Sequence, residues 1–250
     1  RNEVVKALQY PKRYSQFDAV VINSRFHQDI ISKRLVNPHA IVLHPPVTLR
    51  QPREWNQKQK TILAVGRFFR GLHSKRQDIL IDAFRSFSKQ APDWKFVLAG
   101  GLSDEASARD YSERLRQSAE GLPIEFRPNV SATELNELFS SSRFFWHAAG
   151  FEVPKDQPEK MEHFGIATVE AMSAGCIPIV YRAGGQEEII QDGINGFFWT
   201  STAELVERTM SLLKDDHQSA KISKAAIERS REFGKDRFAE KLLSLVGSFF

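Results

Sequence analysis

The sequence has little sulfur and no long apolar run. Cys176 is the single cysteine among 250 residues, which excludes an internal disulfide and indicates a reducing compartment. No stretch approaches 18 consecutive apolar residues, so a membrane-spanning helix is not predicted. There is neither an initiator methionine nor a signal-peptide pattern at Arg1. We therefore expect a cytoplasmic chain that belongs to a longer protein.

The patterns of several common chemistries are also missing. No Walker loop is present, and Gly100-Gly101 lacks the third glycine of the dinucleotide fingerprint. No cysteine and histidine set has zinc spacing, and there is no Asp-x-Asp pair or Gly-x-Ser-x-Gly elbow. The neighbours Glu159, Glu162 and His163 fit a polar surface better than a metal site. Basic and aromatic residues do not alternate as in an RNA-binding sheet, so we expect no nucleic-acid partner. The missing ligand patterns likewise lead us to expect no metal.

The charge balance is mildly basic. Lysine and arginine number 35 against 31 acidic residues, giving a net charge of +4 and a pI near 9.2. This balance suits an anionic ligand or an anionic membrane surface and does not choose between them. A hydrophobic content of 41% and a charged content of 26% are typical of a globular chain, and the length predicts one to two domains.

From residue 61 onward, short apolar strands alternate with helices. The predicted strands are 61–65, 94–99, 124–127, 143–147 and 177–181, and the predicted helices are 76–90, 105–120, one through Leu135, Leu138 and Phe139, and 165–174. Such alternation predicts right-handed crossovers and a parallel, Rossmann-like α/β sheet with helices on both faces.

The first fifty residues contain less structure. Two strands (18–24 and 40–44) and a helix over 25–36 are predicted there, too few to enclose a core alone. We divide the chain into an N-terminal remnant (1–50), a polar linker (51–60) and a Rossmann-like domain (61–250).

Glycines and polar residues follow the predicted strands. In a parallel sheet, ligands bind beyond the carboxyl ends of the strands. The residues at these ends include Gly66, Arg67, Gly101, Asn129, Val130 and His147. Arg67 and Lys75 both lie between the first of these strands and the next helix, where a guanidinium can fork onto phosphate oxygens and an ammonium supplies a point charge. The alternative is that the glycines only form turns and the two cations are solvated.

Residues 162–175 are predicted to form a tight turn, a short helix and a stop. Gly165 permits the sharp turn, Ile166, Val169 and Ser173 share one helical face, and Gly175 ends the helix in the left-handed conformation.

Two carboxylates frame the start of this helix. Glu162 precedes it and Glu170 lies in its second turn, roughly 10 Å away at 1.5 Å per residue. A helix N-terminus attracts phosphate. Carboxylates that bind hydroxyls on either side of a phosphate site suit a sugar–diphosphate–ribose ligand. The alternative is a solvated Glu162 and a Glu170 paired with a nearby base.

These segments together resemble the C-terminal, donor-binding half of a family 4 (group 1) retaining glycosyltransferase of GT-B fold. The matching pieces are 65–67, Lys75 before 78–84, 96–101, the pair Glu162 and Glu170 separated by seven residues, 170–178 and 184–188. The similarity spans 61–200, and 18–50 resemble the last strands of the family's N-terminal domain. Residues 147–151 with 162–165 are similar to mannosyltransferases that act on lipid-linked sugars.

The resemblance implies a role for each candidate. Arg67 and Lys75 would hold the donor diphosphate and stabilise the leaving group. Glu162 would contact the donor sugar and Glu170 the ribose hydroxyls. The remaining donor-binding candidates are Gly66, Gly101, Asn129, Val130, His147 and the backbone N–H groups of Phe164, Gly165 and Ile166, with the loop at Asn129-Val130 lying along the base.

The resemblance also implies substrates and partners. A hexose would pass with retention, and with no metal or cofactor, from a nucleotide-diphosphate sugar such as GDP-mannose to a saccharide or lipid-linked acceptor. The partners would be the N-terminal domain and, peripherally, the cytoplasmic face of a membrane. The family's acceptor site lies in that N-terminal domain, so we expect these 250 residues to bind donor without transferring sugar. A GT-B sugar-nucleotide epimerase and a non-catalytic nucleotide-sugar-binding module remain as alternatives.

Overall fold

The structure is a computed structural model that describes residues 17, 19–32, 40–71 and 73–248. Its strands are β1 (Val20–Ile22), β2 (Ala40–Val42), β3 (Gln59–Val65), β4 (Lys95–Gly100), β5 (Ile124–Pro128), β6 (Ser142–His147), β7 (Ile177–Tyr181) and β8 (Phe197–Trp199). Its helices are α1 (Arg25–Ser32), α2 (Gln77–Ser88), α3 (Ala106–Ser118), α4 (Ala132–Ser141), α5 (Ile166–Ser173), α6 (Gln186–Ile189), α7 (Thr202–Leu212), α8 (Asp216–Ser230) and α9 (Lys235–Gly247). The end of the first predicted helix (33–36) lies outside the described residues.

Six parallel strands form the main sheet, in the order β5-β4-β3-β6-β7-β8. The chain runs outward from β3 to β5 and then, on the other side, from β6 to β8. A ligand crevice is expected where the strand order reverses, beyond the carboxyl ends of β3 and β6. Strands β1 and β2 form a separate parallel pair. The predicted fold class is confirmed.

The two faces of β3 carry two different cores. Ile62 packs with Phe84 of α2 and Trp146 of β6 in one buried cluster, whereas Leu63 packs with Phe139 of α4 in another. The alternation follows from the two-residue period of a strand. Helices therefore cover the sheet on both sides, as the near-continuous apolar strands predict.

Three features differ from the prediction. Ile166 is 49% exposed, although Val169 and Ser173 on the same helix face are buried. Periodicity assigns residues to a face of the helix, but it does not show how far along that face other elements pack. The sixth strand, β8, was not predicted, since three residues are too few to show alternation. Helices α6 to α9 were not predicted either. The segment 51–60, predicted as a polar linker, is partly packed: Trp55 is buried and β3 begins at Gln59.

Lys58 lies at the junction of α4, β6 and the turn after α5. Its side chain is buried, and its ammonium donates to the carbonyl oxygens of Ser140 (2.7 Å), Ser142 (3.1 Å) and Ala174 (2.8 Å). Burial lowers the pKa of Lys58, and the Cys176 thiol nearby acts in the opposite direction. The three bonds satisfy carbonyls at the ends of these elements.

Gly175→Val is expected to destabilise the fold by at least about 1–2 kcal/mol, because Gly175 has a φ of +79°. A Cβ there would also lie 3.2 Å from Lys58 Cε and from Ser223 Oγ. Gly121→Val is the matched control, since Gly121 has a φ of +75° with nothing within 4 Å of the added Cβ. Urea unfolding of both variants separates backbone strain from crowding, and an equal loss in the two would mean that crowding at Gly175 contributes nothing.

Candidate functional site

Two glycines bring the ends of β3 and β4 together at the crevice. Gly100 has a φ of +150°, and a Cβ on it would lie 2.0 Å from the carbonyl oxygen of Gly66. A Cβ on Gly66 would lie 2.5 Å from Lys75 Cγ. Glycine is therefore required at both positions by close packing, and Gly66 makes room for the stem of Lys75.

Lys75, Glu162 and His147 form a connected polar chain. The Lys75 ammonium donates to Glu162 Oε2, and His147 Nε2 lies 3.3 Å from the same oxygen. Gln186 Nε2 lies 3.4 Å from His147 Nδ1, which extends the chain. The Glu162 side chain is 17% exposed and that of His147 is 4% exposed. The structure thus brings together three of the predicted residues: Lys75 and Glu162 lie in loops, and His147 is the last residue of β6.

The charges in this chain are set by burial and by pairing. Burial raises the pKa of Glu162, but the Lys75 ammonium and the hydrogen bond from His147 outweigh it and hold that pKa well below its usual range. Burial lowers the pKa of His147, against the opposing effect of Glu162. At neutral pH the site therefore holds an ionised carboxylate, which can only accept hydrogen bonds, beside a neutral imidazole.

A glycine turn fixes the backbone that carries Glu162. The Gly185 N–H donates to the Glu162 carbonyl oxygen at 2.8 Å. A Cβ on Gly184 would lie 2.2 Å from that carbonyl oxygen, and one on Gly185 would lie 2.4 Å from the carbonyl oxygen of His163. Residues 184–185 therefore press directly on the segment before α5.

The N-terminus of α5 opens beside Glu162. Gly165 has a φ of +123° and caps the helix, while Phe164 is buried against His44 and Phe233. In the described part of the chain, no group accepts a hydrogen bond from the N–H groups of Phe164, Gly165 or Ile166. Free N–H groups of this kind, with the helix dipole, favour an anion.

Glu170 is paired with a base in this structure. Arg50, which precedes the segment leading into β3, donates from its guanidinium to Glu170 Oε1 at 2.5 Å. The two side chains are 13% and 16% exposed. The alternative interpretation from the sequence, a base beside Glu170, describes this contact, although no sequence pattern identified Arg50 as that base.

A cleft lies beside the polar chain of Lys75, Glu162 and His147. It has a volume of about 430 Å³ and is lined by residues that include Arg67, Phe69, Gly101 and Asn129. The Asn129 side chain accepts from the Leu102 N–H at 2.9 Å and donates to its carbonyl oxygen at 3.0 Å.

The predicted residues therefore fall into two groups. Arg67 is exposed and makes no ion pair within the described residues, and Val130 is half-buried after Asn129. Lys75, Glu162 and His147 form the core of the site, while Arg67, Gly101 and Asn129 line its neighbouring cleft.

The sequence analysis included Glu188 only within 184–188, one of the segments that carry the family resemblance, and its contacts were not predicted. Its Oε1 accepts from the Phe26 N–H at 2.9 Å, and its Oε2 lies 3.0 Å from His44 Nε2. Burial raises the pKa of Glu188, but the bonds from His44 and from the N–H groups of Arg25 and Phe26 bring it below its usual value. One carboxylate thus ties both α1 and the segment after β2 to α6.

A histidine cluster lies in the same contact region and was also missed. The ring of His163 stacks on His27 at 4.5 Å and meets His73 edge-on at 4.6 Å. Burial lowers the pKa of both His27 and His163 to about 4, and the neighbouring histidines act in the same direction. These residues are far apart in sequence, so no local pattern could have joined them.

Comparison with known proteins gives one family match. The model of the family described as glycosyl transferases group 1 matches residues 48–229. A GDP-Man:Man(3)GlcNAc(2)-PP-Dol alpha-1,2-mannosyltransferase of Dictyostelium discoideum is 27% identical over 220 residues, which are 82% of this chain and 41% of that protein. A sucrose synthase of Thermosynechococcus vestitus is 42% identical over 79 residues, 29% of this chain and 10% of that protein.

The solved structures give the same fold. The Anabaena protein HepE in complex with UDP and glucose has a TM-score of 0.77 at 21% identity, covering 98% of this chain and 66% of that one. The chain spans less than half of the length of the curated relatives it matches. Among the described residues, no helix is long and apolar enough to span a bilayer, and no group of three or more acidic, histidine or cysteine side chains is placed to hold a metal.

Proposed function

Because the chain belongs to the glycosyl transferases group 1 family, we propose that it is the donor-binding half of a hexosyltransferase that uses a nucleotide-diphosphate sugar. The observation that carries this proposal is the chain of Lys75, Glu162 and His147 beside the free N–H groups of α5. It places positive charge next to an ionised acceptor of hydroxyl hydrogen bonds, as a sugar diphosphate requires.

The proposed chemistry is leaving-group stabilisation. When the bond from the anomeric carbon breaks, its electron pair passes to a diphosphate oxygen. Lys75, the N–H groups at α5 and, from the neighbouring cleft, Arg67 stabilise that charge. Glu162 accepts hydrogen bonds from sugar hydroxyls, which orients the anomeric carbon. Retention, and transfer without a metal, are part of this proposal.

The donor and the acceptor are proposed from relatives. The name of the Dictyostelium relative specifies GDP-mannose and a dolichol-linked acceptor, whereas the solved Anabaena complex holds UDP and glucose. We propose a mannosyl donor and a lipid-linked or saccharide acceptor, bound by an N-terminal domain at the cytoplasmic face of a membrane. A thermal-shift series with UDP-, GDP- and ADP-sugars tests the base, and product formed from donor alone would instead indicate an epimerase.

The two glutamates are expected to act on different parts of the donor. Glu170→Gln should weaken nucleoside diphosphate about tenfold, because its proposed partner is ribose. Glu162→Gln should leave that affinity nearly unchanged and weaken only the sugar nucleotide. Calorimetry with both ligands decides between these outcomes, and Glu120→Gln, at an exposed position, serves as the control. The same loss for both ligands in both variants would refute the assignment.

A further inference from the structure

Arg50 is held against two helices at three points. Its guanidinium donates to Glu170 Oε1 at 2.5 Å, its backbone N–H donates to Ser173 Oγ at 2.9 Å, and its Cζ lies 5.1 Å from the centroid of the Phe139 ring. Glu170 and Ser173 belong to α5, whose N-terminus opens on the proposed diphosphate site, and Phe139 belongs to α4. The position of this arginine is therefore determined by the same helix that carries the carboxylate.

This arrangement desolvates the arginine. The Nε atom is buried and has no hydrogen-bond partner within the described part of the chain. A buried donor without a partner lowers stability, because it has lost its hydrogen bonds to water. A contact that serves only stability gains little from such a geometry, because the cost of desolvating two charges offsets much of their attraction. The geometry fits better with a role in fixing the orientation of Glu170.

Only one oxygen of the Glu170 carboxylate is bound within the described part of the chain. Arg50 engages Oε1, while Oε2 makes no hydrogen bond to any residue that the structure describes. An arginine on one oxygen restricts the rotamer of the glutamate and leaves the other oxygen available to a ligand. Preorganisation of this kind lowers the entropy lost when a ligand binds.

We infer that Arg50 is a positioning residue that presets Glu170 to receive the ribose hydroxyls of a nucleoside diphosphate. The inference rests on the proposed donor-binding function. It gives the segment between β2 and β3 a part in nucleotide recognition. The bond from the Val47 N–H to the Phe233 carbonyl oxygen at 3.0 Å also anchors this segment to the residues before α9.

The test removes the guanidinium and varies the ribose. Arg50→Met keeps an unbranched apolar stem against Phe139, and Arg53→Met is the matched control, since Arg53 lies in the same segment and makes an exposed pair with Glu137. Calorimetry on the 250-residue chain uses UDP, GDP and ADP, each beside its 2′,3′-dideoxy counterpart.

In the unmodified chain we expect the ribose form to bind about tenfold more tightly than the dideoxy form. Arg50→Met should lose about three- to tenfold on the ribose form and nothing on the dideoxy form, and Arg53→Met should change neither. Arg50→Lys keeps the charge but not the planar guanidinium, so its loss of affinity for the ribose form should be smaller than that of Arg50→Met. If Arg50→Met does not fold, Arg50→Lys takes its place in the test.

Each other outcome overturns the inference in a distinguishable way. An equal loss on both forms would give Arg50 a structural role only. Tighter binding of the ribose form by Arg50→Met would mean that Arg50 competes with ribose. Equal binding of both forms by the unmodified chain would mean that Glu170 does not bind the ribose hydroxyls, and it would leave the proposed function intact. No binding of any of the three diphosphates would refute the proposed function itself.

Discussion

Replacing Lys75 with methionine should weaken binding of a nucleoside diphosphate about 10- to 100-fold, because a hydrogen bond from a charged donor contributes about 1.5–3 kcal/mol. The same change should lower stability, since it leaves the Glu162 carboxylate in a largely buried position without its cation. The loss of binding follows from the diphosphate-binding role that the family resemblance implies for Lys75. The contact with Glu162 adds the second effect.

The two effects of this substitution are separable by experiment. In the double variant Lys75→Met with Glu162→Gln, no buried carboxylate remains unpaired, so stability should recover while diphosphate affinity stays low. Lys60→Met is the control, because Lys60 pairs with Asp93 where both side chains are 57% exposed. Calorimetry and urea unfolding measure the two quantities. An undiminished affinity in the single variant would leave Lys75 only a structural role, as the partner of Glu162.

Lowering the pH from 7 to 5 is expected to reduce the free energy of unfolding by about 2–4 kcal/mol, through His27 and His163. Their pKa values are lowered to about 4 in the folded chain, against 6.5 for an unperturbed histidine. As the pH falls below 6.5, the unfolded chain takes up protons that the folded chain cannot, so stability is lost with decreasing pH. Each histidine contributes about 1.4 kcal/mol per pH unit within this window.

Urea unfolding at pH 7, 6 and 5 measures this loss. The double variant His27→Phe with His163→Phe keeps the stacked rings and should flatten the pH dependence. His217→Asn, at an exposed position on α8, should leave it unchanged. His163→Phe alone should flatten the pH dependence less than the double variant does, because His27 remains with a lowered pKa. Equal stability at pH 7 and 5 would contradict the assignment.

Local sequence patterns predicted the parts of the fold that depend on local chemistry. The seven predicted strands each overlap an observed strand, because each is an apolar run bounded by turn residues. Gly175 has the predicted left-handed φ. The crevice could be located as well, since alternating strands and helices fix where the carboxyl ends of parallel strands meet.

The pairings between side chains could not be predicted. The contacts of Glu162 with Lys75 and of Glu170 with Arg50 join residues 87 and 120 positions apart, and periodicity carries no information at that separation. Glu188 is a similar case, because its partners lie in α1 and after β2. The site residues were found by type and position, whereas their partners required the three-dimensional structure.

The contacts around the Lys58 ammonium resemble the coordination of a metal ion. Three carbonyl oxygens converge on its ammonium, much as carbonyl oxygens surround a bound monovalent cation. An ion from solution would occupy such a ring according to its concentration, and the junction would then respond to the ionic composition of its surroundings. Here the cation is covalently tethered to the chain. The meeting point of α4, β6 and the turn after α5 is therefore always occupied, and it is independent of any ion that the cell supplies.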